Sequence, residues 1–229
     1  MDRNNLQTIA DTLEDFPNVL VISDEIYERL TYDQHEHVSF ASISPAMYDR
    51  TVTINGFSKS HAMTGYRVGY SASNLQVAKA IGKLQSQMTS CASSISQQAA
   101  IAALSNPFIE SSHWMEQRVQ ELQQKRDYAY KLLLDIPQVT CPKPTGAFYL
   151  LPDVSAYYGR RYTHSDGEKM RITNSHEMCV ALLKAESVAL VSGEAFGDDR
   201  CVRLSYATSR DVIEQALVRF KRFLLALKQ

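Results

Sequence analysis

Short apolar runs alternate with helical periodicity from the first residues onward, and that alternation restricts the chain to an α/β architecture. Leu6, Ile9, Ala10 and Leu13 recur at helical spacing until Asp15, Phe16, Pro17 and Asn18 stop the pattern. Residues 19–23, VLVIS, read as a short buried strand, and residues 50–56, RTVTING, and 66–73, YRVGYSAS, as two more. Val77, Ile81, Leu84 and Met88 lie on one face of a second helix, which the serine-rich residues 86–96 interrupt. Met115, Val119, Leu122, Ala129 and Leu133 mark a long helix able to bridge two domains. Beyond it the texture changes. Residues 140–154, TCPKPTGAFYLLPDV, are turn-rich and then aromatic, and residues 188–191, VALV, and 201–207, CVRLSYA, are strand candidates. Ile213, Leu217, Phe220, Leu224 and Leu227 line a closing helix, with Thr208 and Asp211 suited to its capping box. A domain boundary near residue 115 follows, with domains of residues 1–114 and 115–229.

The 229 residues, 45% hydrophobic and 21% charged, suffice for a sizeable core and argue against disorder. A net charge of −1 without a long basic run gives no electrostatic reason to bind nucleic acid or an anionic membrane, so a small polar partner is expected. Apolar runs fall far short of a membrane span, and the first residues lack the basic and then apolar regions of a secretory signal, so the reading is cytoplasmic. Cys91, Cys141, Cys179 and Cys201 form no C-x-x-C pair, which fits reduced thiols rather than structural zinc. His35 and His37 share a spacing that could face a metal, but with no carboxylate cluster nearby in sequence they read as a solvated loop. Residues 192–197, SGEAFG, lack the G-x-x-x-x-G-K pattern of a nucleotide loop. Trp114 reads as a packing residue, and residues 159–171 as a charged loop without an assigned role.

Lys59 taken alone is one more surface lysine. Its setting points to a role: it follows a strand end between Ser58 and Ser60, ahead of Gly65, Arg67 and Gly69, where backbone and guanidinium can approach an anion together. Upstream, Asp24 stands at the carboxyl end of another strand with Tyr27 close behind, and ligands of open parallel sheets bind at that end. An acid, a phenol, an amine and a guanidinium at neighbouring strand ends suit pyridoxal phosphate chemistry. A lysine forms the Schiff base, an acid keeps the pyridine nitrogen protonated, and a cationic clamp holds the phosphate.

The stretches SDEIYE, SKSHAMTGYRVGY, TGAFYLLPDVSAYYG and RLSYATS together resemble the class I/II aminotransferases of the fold type I pyridoxal phosphate enzymes, in matching order across essentially the whole chain. The tail VSGEAFGDDRCVRLSYATS is most similar to the bacterial-type aspartate aminotransferase branch. The resemblance implies that Lys59 carries the cofactor and shuttles the substrate's α-proton, that Asp24 pairs with the pyridinium and Tyr27 with the ring oxygen, and that Arg67 binds the phosphate. Arg203 would hold the substrate's α-carboxylate, against the alternative of a strand residue paired with a nearby acid. The family's phosphate-binding serine is replaced by Gly56, so that hydroxyl is either absent or supplied by Ser58. Asparagine and proline of many relatives are replaced by Cys91 and Ser192.

The resemblance further implies the C-terminal part of the large-domain sheet followed by the C-terminal small α/β domain. The family's glycine-rich phosphate loop, its ring-stacking aromatic residue and its N-P-x-N-P-T-G stretch precede SDEIY and have no counterpart in this sequence. A sheet divided in this way exposes an edge and an apolar face, so the chain is expected to self-associate; the resemblance also implies a homodimer for the full-length protein. The expected activity is transamination between an amino acid, with aspartate favoured, and a 2-oxo acid, with 2-oxoglutarate favoured. The alternative is a noncatalytic truncated fragment or a pyridoxal-phosphate-sensing domain.

Overall fold

The computed structural model describes residues 1–105, 113–163, 167 and 169–229. The described chain divides into two compact units, Met1–Val119 and Gln120–Gln229.

In the first unit, helix α1 (Arg3–Glu14) begins where the Asp2 carboxylate accepts a hydrogen bond from the Asn5 backbone N–H at 2.8 Å. Its Leu6 and Ala10 pack against Phe40 and Met47. The Arg50 guanidinium donates to the carbonyls of Leu13, Phe16 and Val19, satisfying the end of α1 and the turn behind it. Strands β1 (Val21–Asp24), β2 (Thr51–Gly56) and β3 (Gly69–Ala72) form one sheet in that order, β1 parallel and β3 antiparallel to β2. The short helix α2 (Pro45–Arg50), capped by the Ser44 hydroxyl, leads into β2, and α3 (Phe57–Ser60) follows it directly. Phe57, Met63 and Ala100 form a second small core, the last from α5 (Ser94–Ser105).

Helix α4 (Leu75–Met88) forms with the expected apolar face, yet none of its residues is buried. Ile22 on β1 and Ile54 on β2 are exposed as well. The third strand is shorter than its apolar run because Thr64–Tyr66 forms a 3-10 turn and Arg67 adopts a left-handed conformation.

Helix α6 (Trp114–Leu134) opens with a half-buried Trp114 carrying Arg118 over its ring, and runs across the division into the second unit. There β4 (Tyr149–Leu150), β8 (Val202–Ser205) and β7 (Val191–Ser192) make an antiparallel sheet in that order. Helices α7 (Ser175–Glu186) and α8 (Arg210–Ala226) pack on each other, and α8 buries Ile213, Leu217, Phe220, Phe223 and Leu224. The cap of α8 is Ser209 rather than Thr208, because the Ser209 hydroxyl is the one that accepts from the Val212 N–H. Only Val191 of the run at 188–191 enters a strand; Val188 is buried ahead of it.

The segment at 159–171 is not simply a charged loop. Its arms pair as β5 (Arg161–Thr163) and β6 (Lys169–Arg171), while residues 164–166 and 168 lie outside the described residues. Arg126 on α6 is fully buried, and its guanidinium donates to the Pro144 carbonyl at 2.8 Å and pairs with Asp127, tying the turn before β4 to the helix. Among the described residues no helix is long and apolar enough to cross a membrane.

Candidate active site

The parallel pairing of β1 with β2 sets Asp24 opposite Ile54, and the ladder continues as the Glu25 N–H donates to the Ile54 carbonyl at 2.8 Å. Two strands therefore deliver Asp24 and the residues after Gly56 to the same end of the sheet, the end where parallel sheets hold ligands. Asp24 is exposed there, and its carboxylate accepts from the Ile26 N–H at 3.2 Å, which shapes the turn leading to Tyr27. Lys59 lies in α3, half-buried, with its Nζ 5.8 Å from the centre of the Tyr27 ring. The amine and the phenol, 32 positions apart by subtraction of their numbers, thus face each other. Ser58 is half-buried beside Lys59.

Arg67 leaves the same region by a different route. Gly56 and Gly69 are register partners of β2 and β3, and a Cβ on Gly69 would lie 2.8 Å from the Asn55 carbonyl oxygen. A Cβ on Gly56 would meet the Gly69 Cα at 3.1 Å and the Val68 oxygen at 3.2 Å, a tight fit that a small shift of the neighbouring strand would relieve. Arg67 stands just before Gly69 at φ 50°, and its Nη1 donates to the Thr64 carbonyl at 3.1 Å while the side chain stays exposed.

Glu25, next to Asp24, supplies a feature that the sequence reading missed. It is buried, with Oε1 accepting from Ser23, Ser39 and the Phe40 N–H, and Oε2 lying 3.0 Å from His37 Nε2. Burial alone would raise the carboxyl's pKa, but the hydrogen bonds outweigh it and hold the group below its ordinary value. His37 therefore is not on a purely solvated loop: Glu25 and Glu28 both stand near it, within 4.8 Å between ligating atoms. The residues come from distant positions, so the sequence lacked a carboxylate cluster while the fold creates one. Its hydrogen bonds make it a tether between β1 and the segment carrying Phe40.

His61, behind Lys59, has its ring nitrogen 2.8 Å from the Ser60 hydroxyl. Burial, with repulsion from Arg29, pushes its pKa below the ordinary imidazole value against the opposing pull of Glu28.

Arg203 belongs to the second unit, on the central strand β8, opposite Val191. Its Cζ lies 4.4 Å from the centre of the Tyr149 ring and 4.3 Å from that of Phe196. Among the described residues no carboxylate is hydrogen-bonded to its guanidinium, so the strand residue paired with an acid is not what the geometry presents.

Asp24, Tyr27 and Lys59 thus gather at one end of the sheet, with Arg67 exposed ahead of β3, and a carboxylate, a phenol, an amine and a guanidinium are the kinds of group that pyridoxal phosphate chemistry uses.

A family model described as aminotransferase class I and II matches residues 1–220. The bifunctional aspartate aminotransferase and glutamate/aspartate-prephenate aminotransferase of Petunia hybrida is 46% identical over 226 residues, 99% of this chain and 46% of the relative. The aspartate aminotransferase of Bacillus subtilis (strain 168) is 43% identical over 206 residues, 90% of this chain and 49% of the relative. Among solved structures, the aspartate aminotransferase from Rhizobium meliloti matches with a TM-score of 0.90 at 34% identity, over 100% of this chain and 55% of that one. The chain thus spans about half the length of the relatives it matches. Its α/β units carry the fold of type I pyridoxal phosphate enzymes over that span. The chain belongs to the class I and II aminotransferases, a family whose aspartate aminotransferase members depend on pyridoxal phosphate.

Proposed function

We propose that this chain supplies the lysine-bearing and carboxylate-binding parts of an aminotransferase that exchanges the amino group of an amino acid with a 2-oxo acid. Aspartate is the favoured amino donor, a choice supported by the aspartate aminotransferase names of the relatives, and 2-oxoglutarate is proposed as the acceptor. The observation that carries the reading is Lys59 Nζ facing the Tyr27 ring at the strand end where Asp24 emerges. Bound pyridoxal phosphate would supply an electron sink for the substrate's α-carbon. Asp24 would hold the ring nitrogen, Tyr27 the ring oxygen, and Arg67 and Ser58 the phosphate. Lys59 Nζ would take the proton from the α-carbon and return it, and Arg203 would bind the α-carboxylate. The full-length protein is proposed to act as a homodimer.

The exposed faces of β1 and α4 support a second reading, in which the chain holds no cofactor until another polypeptide covers them. Titrating the purified chain with pyridoxal phosphate, with Lys59→Ala as control, separates the two. A visible absorbance band absent from the variant supports the first reading; identical spectra from both proteins support the second. In a complete enzyme assay, Arg203→Ala should weaken all amino-acid substrates together, whereas loss of a single substrate would argue against an α-carboxylate role.

A further inference from the structure

Arg203 is flanked from both sides of its strand. Tyr149 comes from β4, whose register places it opposite Ser205, a diagonal neighbour of Arg203. Phe196 comes from the 3-10 turn Gly193–Phe196 that follows β7 on the other side. Each ring is held by backbone chemistry. A Cβ at Gly193 would lie 2.2 Å from the Cys201 carbonyl oxygen and 2.3 Å from that of Asp198, so only glycine fits there. The Gly193 N–H donates to the Cys201 carbonyl at 2.9 Å, and Gly197 closes the turn at φ 82°. On the other side the Tyr206 N–H donates to the Phe148 carbonyl at 3.0 Å, and the Tyr206 hydroxyl to the carbonyl of Ala147 at 3.2 Å.

Phe196 is 47% exposed, so filling a core does not explain a phenyl ring at this place. The SGEAFG stretch, which has no nucleotide-loop pattern, acquires a purpose here: its glycines aim an aromatic ring at a guanidinium. Two other arginines resting on rings have donors engaged. Arg160, 4.5 Å from the Tyr157 ring centre, donates to Gln138 at 2.8 Å, and Arg210, over Tyr128, hydrogen-bonds that tyrosine. Arg203 has its rings but no acidic partner among the described residues.

We propose that Tyr149 and Phe196 are positioning residues that clamp the Arg203 guanidinium and leave its N–H edge for the planar carboxylate of an amino acid. The inference rests on the reading of Arg203 as the α-carboxylate-binding residue. Rings against the guanidinium exclude water there and restrict its rotation, so less freedom is lost when two parallel hydrogen bonds form.

The test uses the 229-residue chain with 15N-labelled arginine, the Arg203 Nε–H signal being assigned by its loss in Arg203→Lys. L-aspartate is the probe, with sodium chloride at equal ionic strength as control. The Arg203 signal should lie upfield through ring currents, move toward the Arg200 position in Phe196→Leu and Tyr149→Leu, and respond to aspartate. The apparent dissociation constant should rise about tenfold in Phe196→Leu, while Phe196→Tyr and Tyr149→Phe, which keep a ring, stay near the parent value. Equal responses in the parent and Phe196→Leu would overturn the clamp and leave the Arg203 reading intact. An Arg203 signal that aspartate moves in none of the proteins would overturn both.

Discussion

Leu217 and Phe220 on α8 are 2% and 0% exposed, whereas Leu84 and Met88 on α4, also part of a helical apolar stripe, are 64% and 78% exposed. The helices have similar patterns and opposite fates. In the second unit a stripe meets a neighbouring helix and sheet; in the first, neither α4 nor the Ile22 face of β1 is covered by described residues. Amphipathicity thus reports that a face is suited to burial without saying what buries it. A chain spanning about half the length of its relatives makes that distinction visible.

The contrast can be broken most forcefully at Gly193. Gly193→Ala drives a methyl into two carbonyl oxygens and should cost about 4 kcal/mol or more, read as a large fall in the thermal unfolding midpoint of the second unit. Next comes a matched pair. Phe220→Ala should cost about 3–5 kcal/mol, and Leu84→Ala should stay within about 0.5 kcal/mol. Equal costs in urea denaturation would mean that α4 is covered in solution.

Glu25→Gln tests whether the first unit compensates for its uncovered faces with polar tethering, and should cost about 1–3 kcal/mol near neutral pH. Because the folded carboxyl sits below its ordinary value, its contribution is complete above about pH 4.5 and disappears as pH falls through the lower folded value. The parent chain should therefore show an acid-side loss of stability that Glu25→Gln flattens; parallel curves would remove Glu25 as the cause. The smallest stability change is expected for Ile22→Lys, within about 0.5 kcal/mol, accompanied by weaker self-association in sedimentation velocity as the edge strand gains a charge. Unchanged association would place the contact elsewhere.

Much of this was legible because it is local. Leu6 and Ala10 announced α1, the β2 run ended where the lysine turn begins, and Ile213 through Leu224 announced the closing helix. The α8 cap moved by one residue because Thr208 and Ser209 carry the same capping chemistry and backbone direction alone chooses between them. What escaped was built from residues far apart. Glu25 meets His37 through a loop return, and Tyr149 and Phe196 reach Arg203 through strand order. The two glycines of SGEAFG were the available hint, since glycine at a crowded turn often means that something nearby must approach closely.

The facing glycines of β2 and β3 carry a final consequence. Gly56 and Gly69 fix how far the Lys59 turn stands from the Arg67 turn through the ladder itself, while Thr64, Gly65 and Tyr66 ride exposed between them. Arg67 anchors to the backbone oxygen of Thr64 and ignores its side chain. Replacing Thr64 or Tyr66 should therefore leave the spacing of the two strands unchanged, because that spacing is kept by two residues that have no side chains.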